Sequence, residues 1–250
     1  MTAVPKNVAL VTGGGGGIGR CIAGALALDG YAVLAVDLGD AGEETARGIR
    51  AAGGQAAGFR ADVTREEDWL LAFEAAEQRF GPVTALVNNA GIAGPFAPID
   101  QYAVAAFDQV ISVNLRGVFL GLHHGLARMR SQGGGAVVNI ASTSSIRGRA
   151  GLAGYVAAKH AVLGLTRAAA LDMAGSGIRV NAVLPGPVDT AMIATIDSNA
   201  AAQGRVVQRS GHAAPIPPDG IAPTVSFLLS DRARHVNGAA WVVDDGSTLN

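Results

Sequence analysis

Cysteine is nearly missing from this 250-residue chain. Cys21 is the only one, so no disulfide forms within the chain and no cysteine cluster holds a metal. Its place in the first turns of the first helix marks it as core filler. The five histidines, His123, His124, His160, His212 and His235, lack H-x-x-x-H and H-E-x-x-H spacing; packing or helix-surface roles are expected, and no metal site. No apolar run reaches about 18 residues, and no signal-type apolar segment follows Met1. Neither membrane spanning nor secretion is supported, and a cytoplasmic location is expected. Excess charge is missing as well. The 19 Lys and Arg offset 20 Asp and Glu, for a formal net charge of -1, and lie scattered among one another. That pattern excludes a nucleic-acid footprint or a membrane-surface patch and favours small-molecule partners.

What is present is apolar and regular. With 49% apolar and 16% charged residues, the chain is long enough for one large α/β core, and no linker or repeat divides it, so residues 1–250 are read as a single domain. Apolar runs recur at 7–12, 31–36, 56–60, 83–88, 135–141, 178–184 and 239–243, with helical patterns between them. This βαβ alternation predicts a doubly wound, mainly parallel seven-stranded sheet with helices on both faces, of Rossmann type, with ligands at the carboxyl ends of the strands.

The first of those ends is the most informative. Val8 to Val11 run into Gly13–Gly17 and then a helix opening near Ile18. Glycines let the backbone turn tightly and approach a ligand, and the helix start aims unpaired N–H groups at an anion. Five consecutive glycines fit G-x-G-x-x-G through Gly14, Gly16 and Gly19, and equally T-G-x-x-x-G-x-G through Thr12, Gly13, Gly17 and Gly19. After the next apolar run comes Asp37, 20 residues past Gly17, where a carboxylate suits an adenosine ribose diol.

Other strand ends carry polar residues. Asp62-Val63 closes the third run, Asp62 being either a polar strand end or a cofactor contact; Thr64 and Glu67 then read as a capping box. Asn88-Asn89-Ala90-Gly91 closes the fourth and suits bracing of neighbouring loops or of a sugar. Asn114 lies in helical pattern that continues from Val104 to Met129, where a polar side chain needs exposure or a specific partner. Ser142, Thr143, Ser144 and Ser145 follow the fifth run. Tyr155 and Lys159, four apart, share one face of a helix, and a nearby cation draws a phenol toward the working range of a general acid or base.

Taken together, Thr12-Gly13-x-x-x-Gly17-Ile18-Gly19, Asp62-Val63, Asn88-Asn89-Ala90-Gly91, Asn114, Ser142, Tyr155-x-x-x-Lys159, Asn181-Ala-Val-Leu-Pro185-Gly186 with Thr190, and Asp245-Gly246 resemble the short-chain dehydrogenase/reductase family over essentially the full length. The resemblance implies Tyr155 as acid and base and Ser142 as hydrogen-bond partner of the substrate oxygen. Lys159 would hold the nicotinamide ribose and, with the cofactor ring, lower the Tyr155 pKa; Asn114 would hold a relay water. Gly13, Gly17, Ile18, Gly19, Asp37, Asp62, Val63, Asn88, Ala90, Gly91, Pro185, Gly186, Val188 and Thr190 would meet the cofactor. Asp37, with Gly16 and Leu38 offering no cation, points to NAD. The implied activity is interconversion of a secondary alcohol and its ketone.

Residues 188–217 are expected to form a substrate lid. Arg147 and Arg149, in one loop, could meet an acidic substrate; solvent or a subunit contact is the preferred reading, and they are left out of the site. A stripe of Ala157, Ala161, Gly164 and Ala168, with the family's helix pairing, implies a homotetramer. Two rival readings are a non-catalytic dinucleotide-binding regulator, disfavoured by the intact catalytic set, and an NAD-dependent epimerase or dehydratase, which usually needs a longer chain.

Overall fold

A computed structural model describes residues 7–207 and 214–249. The seven apolar runs form β1 (Val8–Thr12), β2 (Ala32–Asp37), β3 (Ala56–Arg60), β4 (Ala85–Asn88), β5 (Gly135–Ile140), β6 (Ile178–Pro185) and β7 (Ala240–Val243). They make one sheet in the order β3-β2-β1-β4-β5-β6-β7, and every neighbouring pair is parallel. Continuous rather than alternating apolarity is what such strands need, because helices cover both faces.

Those helices are α1 (Gly17–Leu28), α2 (Ala41–Ala51), α3 (Glu66–Phe80), α4 (Val104–Ile111), α5 (Gly117–Gln132), α6 (Ala153–Asp172), α7 (Ala191–Ala201) and α8 (Ala222–Leu229). On one face Leu10, Leu34, Leu86 and Leu184 pack with Phe73 of α3, Met129 of α5 and Val162 of α6. On the other, Val11, Val33, Val87 and Val183 pack with Ile22 and Leu26 of α1 and Leu228 of α8. The two-residue period of a strand sends neighbours such as Leu10 and Val11 to opposite cores. The chain winds outward from β1 in both directions, so a crevice opens at the carboxyl ends where β1 and β4 diverge. No helix among the described residues is long and apolar enough to cross a membrane.

Two local expectations are corrected. The capping box does not form: Arg65, not Thr64, precedes α3, with no side-chain cap. The Thr64 amide and hydroxyl instead donate to Asp62 Oδ1, at 2.9 and 2.7 Å, because a short aspartate side chain competes for nearby donors by closing its own turn. The helical run from Val104 toward Met129 is also not one α-helix. A π-turn, Ser112–Arg116, separates α4 from α5 and contains Asn114, and such bulges often mark functional positions.

Candidate active site

The glycine turn is built by backbone demands. Gly13 and Gly17 have φ of +61° and +49°, conformations that a side chain strains. A Cβ on Gly13 would also stand 2.8 Å from Asn89 Nδ2. Beneath the turn the Thr12 hydroxyl accepts from the amides of Asn89 and Ala90, at 3.0 and 3.1 Å, and Asn89 Nδ2 donates to the carbonyls of Thr12 and Gly13. This ties the end of β4 to the end of β1. Gly16 caps α1 without a side-chain partner, so the first-turn N–H groups face the crevice with the positive end of the helix dipole.

A cleft of about 970 Å³ runs from this turn across the strand ends. Gly13, Gly17 and Ile18 line it, as do Asp37, Asp62, Val63, Ala90, Gly91, Pro185, Gly186, Val188 and Thr190, all sequence-predicted. Two expected cofactor contacts do not reach it. Gly19 lies behind the turn, where a Cβ would meet the Gly13 carbonyl at 2.0 Å, so its role is to let α1 pack against its own turn. Asn88 is buried and points under the sheet, its Nδ2 donating to Asn139 Oδ1 at 2.8 Å. Strand alternation turns it away, and Asn89 lines the cleft instead. Asn139 Nδ2 in turn donates to Thr166 Oγ1 of α6, at 2.9 Å.

At one end of the cleft the Asp37 carboxylate accepts from the amides of Gly15 and Leu38, at 2.9 and 2.8 Å. Arg60 donates to the Leu38 carbonyl nearby, at 3.0 Å, from an exposed position outside the lining.

The other end of the cleft is lined by Ser142, Tyr155 and Lys159. Tyr155 and Lys159 occupy successive turns of α6, with Lys159 Nζ 5.6 Å from the Tyr155 ring centre. Ser142 lines the same cleft, and its Oγ accepts from the Ser144 amide at 3.0 Å. Lys159 is buried and donates to the Ile140 carbonyl at 2.7 Å; burial pulls its ammonium down to about 8. From the chain's own groups the Tyr155 phenol is displaced upward. Burial pushes the phenol up, while the bond from Ser142 and the charge of Arg149 pull it down, and the net direction is upward. Desolvation of the phenolate outweighs both.

Asn114 lies outside the cleft lining. It is fully buried, accepts from the Ile92 amide and donates to the Ile92 carbonyl, both at 2.8 Å. This fixes the segment after Gly91, where a Cβ would meet Asn114 Oδ1 at 3.2 Å and Lys159 Nζ at 3.8 Å. Arg149 is the residue that sequence reasoning left out. It lines the cleft and acts on Tyr155, whereas Arg147 turns to the Ser247 carbonyl, at 3.0 Å.

Outside the cleft lining, ligand-type atoms of Glu66, His123 and His124 lie within 4.8 Å of one another. This grouping was invisible in histidine spacing because Glu66 comes from α3 and the histidines from α5. His124 Nε2 lies 3.2 Å from Glu66 Oε1, and burial, reinforced by His123, holds His124 below the usual histidine range. His212 lies outside the described residues.

A glycine-turned helix start and a crevice lined by Asp37, with a Ser142–Tyr155–Lys159 group opposite, suit an elongated dinucleotide and a small polar reactant beside it. The chain belongs to the short-chain dehydrogenase/reductase family, within which it matches the family described as enoyl-(acyl carrier protein) reductase over residues 14–248. It is 40% identical over 244 residues to a cyclohexanol dehydrogenase of Acinetobacter sp. (strain SE19), covering 97% of this chain and 95% of that one. It is 42% identical over 246 residues to a cis-4-hydroxycyclohexanecarboxylate dehydrogenase of Sinomonas cyclohexanicum, covering 98% of each. A crystal structure of 3-ketoacyl-(acyl-carrier-protein) reductase from Brucella melitensis complexed with NADH superposes with a TM-score of 0.88, at 33% identity, over 98% of this chain and 100% of that one. Another solved neighbour, 36% identical, carries NADP. The family thus brings a nicotinamide dinucleotide and oxidoreductase chemistry.

Proposed function

We propose that the protein interconverts a secondary alcohol and its ketone, with NAD(H) as cofactor. The observation that carries this reading is the gathering of Ser142, Tyr155 and the buried Lys159 into one lining at the carboxyl ends of the strands, beside the glycine turn. The residues fit the cofactor. The α1 start would receive its pyrophosphate, Asp37 its adenosine ribose, Asp62 and Val63 its adenine, and Val188 and Thr190 its carboxamide. Its chemistry is to take or give the hydride.

The remaining work falls to this chain. Ser142 and Tyr155 hydrogen-bond the substrate oxygen and so orient the reacting carbon. In oxidation the Tyr155 oxygen accepts the carbinol proton; in reduction it donates one to the carbonyl oxygen. Its net upward pKa displacement keeps the phenol in the donating form until charges in the occupied site act on it. Lys159 supplies a cation beneath the ribose, and Asn114, through its two bonds to Ile92, positions the Gly91 segment against Lys159. The 188–217 stretch is read as the substrate lid: α7 lines the cleft through Met192, Ile193 and Ile196, while residues 208–213 lie outside the described ones.

Asp37 supports NAD over NADP, since its carboxylate lines the cleft where a 2′-phosphate would come. The reading also includes a homotetramer. It is supported by α6, where Ala157, Gly164 and Ala168 are exposed rather than buried within the subunit. The decisive experiment replaces Tyr155 by Phe. With dinucleotide affinity retained, turnover of alcohols and ketones should fall by roughly 10²- to 10⁴-fold, the usual worth of a positioned acid or base. Full activity in that variant would sink the reading.

A further inference from the structure

We propose that Glu66, His123 and His124 form a binding site for a divalent ion of the zinc class, a metal clamp between α3 and α5. The site stands apart from the carbinol–ketone reading above, since none of the three residues lines the cleft.

Two imidazoles and a carboxylate converge here. Their ligand-type atoms lie within 4.8 Å of one another, and the His123 and His124 rings meet edge to face with centroids 4.8 Å apart, so neighbours in sequence turn toward one point. His124 Nε2 is the central observation. It belongs to a residue only 9% exposed and makes no hydrogen bond among the described residues, yet Glu66 Oε1 stands 3.2 Å away. Two ligands of a tetrahedral zinc ion, each bound at about 2.0–2.1 Å, lie roughly 3.3 Å apart. That spacing is already one edge of a coordination tetrahedron. Glu66 and His123 are exposed, which leaves their side chains free to close the remaining distance. No lysine or arginine among the described residues pairs with Glu66, and Arg128, one turn further along α5, is engaged with Glu77 at 3.4 Å.

Core packing sets the distance between the two helices. Gly121 and Gly125, on either side of the histidines, let α5 approach α3: a Cβ on Gly121 would stand 2.6 Å from Trp69 Cη2, and one on Gly125 3.3 Å from Phe73 Cζ. The backbones that carry the donors are therefore held before any ion arrives, which lowers the ordering cost of binding. Imidazole with a carboxylate suits zinc and its neighbours, whereas magnesium and calcium take oxygen shells. Three protein donors leave a fourth position to water. Coordination would also give the buried His124 nitrogen the partner it lacks, and an unpartnered buried polar atom is a cost the fold otherwise bears.

The test uses the full chain, free of any affinity tag and stripped by a chelator, with Zn2+ alone as the probe. Calorimetry should give one ion per chain. At a hundredfold excess of Zn2+ over the measured Kd the unfolding temperature should rise by roughly 5 to 10 °C, and Mg2+ should neither bind nor shift it. His123→Gln and Glu66→Gln alter exposed side chains and should fold as the parent does; each should weaken Zn2+ binding by at least about tenfold and shrink the thermal shift. His160→Gln, at an exposed position of α6, should change neither. Co2+ should give the visible absorption bands of a tetrahedral ion in the parent and lose them in His123→Gln. Absent or sub-stoichiometric Zn2+ binding, or equal binding and equal thermal shifts in the parent and the two variants, would overturn the proposal. Enzyme turnover enters none of these readouts, so the result stands whichever reaction the cleft performs.

Discussion

The proposed preference for NAD(H) is carried by the Asp37 side chain. It is held by two backbone amides, from Gly15 and Leu38, so it cannot easily turn aside for a phosphate. Like charges that close repel more strongly in a partly desolvated cleft than in water. NADH should therefore support turnover better than NADPH, and Asp37→Ser should narrow the gap by roughly tenfold or more, in line with about 1.4 kcal/mol per decade. Steady-state kinetics with both coenzymes checks this, and a parent that prefers NADPH would refute it. Exposed Arg60 beside Leu38 is the cation such a variant would recruit. At this scale the sequence was legible wherever a motif fixed both residue and backbone, as at Gly13, Ser142, Tyr155 and Lys159. The place of Arg149 in the cleft wall was only one of the options its sequence left open, because it depends on the pairing of Ala97 with Gly151 and Leu152, more than 50 residues apart.

Among elements, the strands were readable to within a residue or two, since burial on both faces leaves continuous apolar runs with polar ends. The helical region from Val104 onward was less so. A π-turn carries no distinctive periodicity, and the two bonds to Ile92 that reward Asn114 there are tertiary. The contact between α3 and α5 was hidden for the same reason. It makes a measurable prediction through His124. With its folded pKa lowered by burial, the unfolded chain binds the proton more readily. Stability from this group is therefore full above the unfolded value of about 6.5 and is lost as pH falls below it. Denaturant unfolding should show a drop in stability between pH 7.5 and 5.5 that is smaller in His124→Gln. An unchanged pH slope would show that His124 does not contribute.

For the molecule as a whole, α4 and α5 each present an aromatic ring to solvent. Phe107 and Phe119 are 36% and 49% exposed, and nothing would obstruct a Cβ on Gly164 within 4 Å. A face with aromatic knobs beside a small-residue stripe suits close helix pairing about a two-fold axis. Light scattering at micromolar concentration should give the mass of four chains, and Gly164→Trp should reduce it. A parent that scatters as one chain would remove this prediction.

Beneath the cleft, Asn88, Asn139 and Thr166 join β4, β5 and α6 by side chains alone. Greasy surfaces tolerate slippage, whereas a donor matched to one acceptor does not. That three-member latch sets the rotation of α6 about its long axis. Under the proposed carbinol–ketone reaction, the azimuth of the phenol oxygen, and with it the stereochemical face of attack, would then be set partly from the dry underside of the sheet.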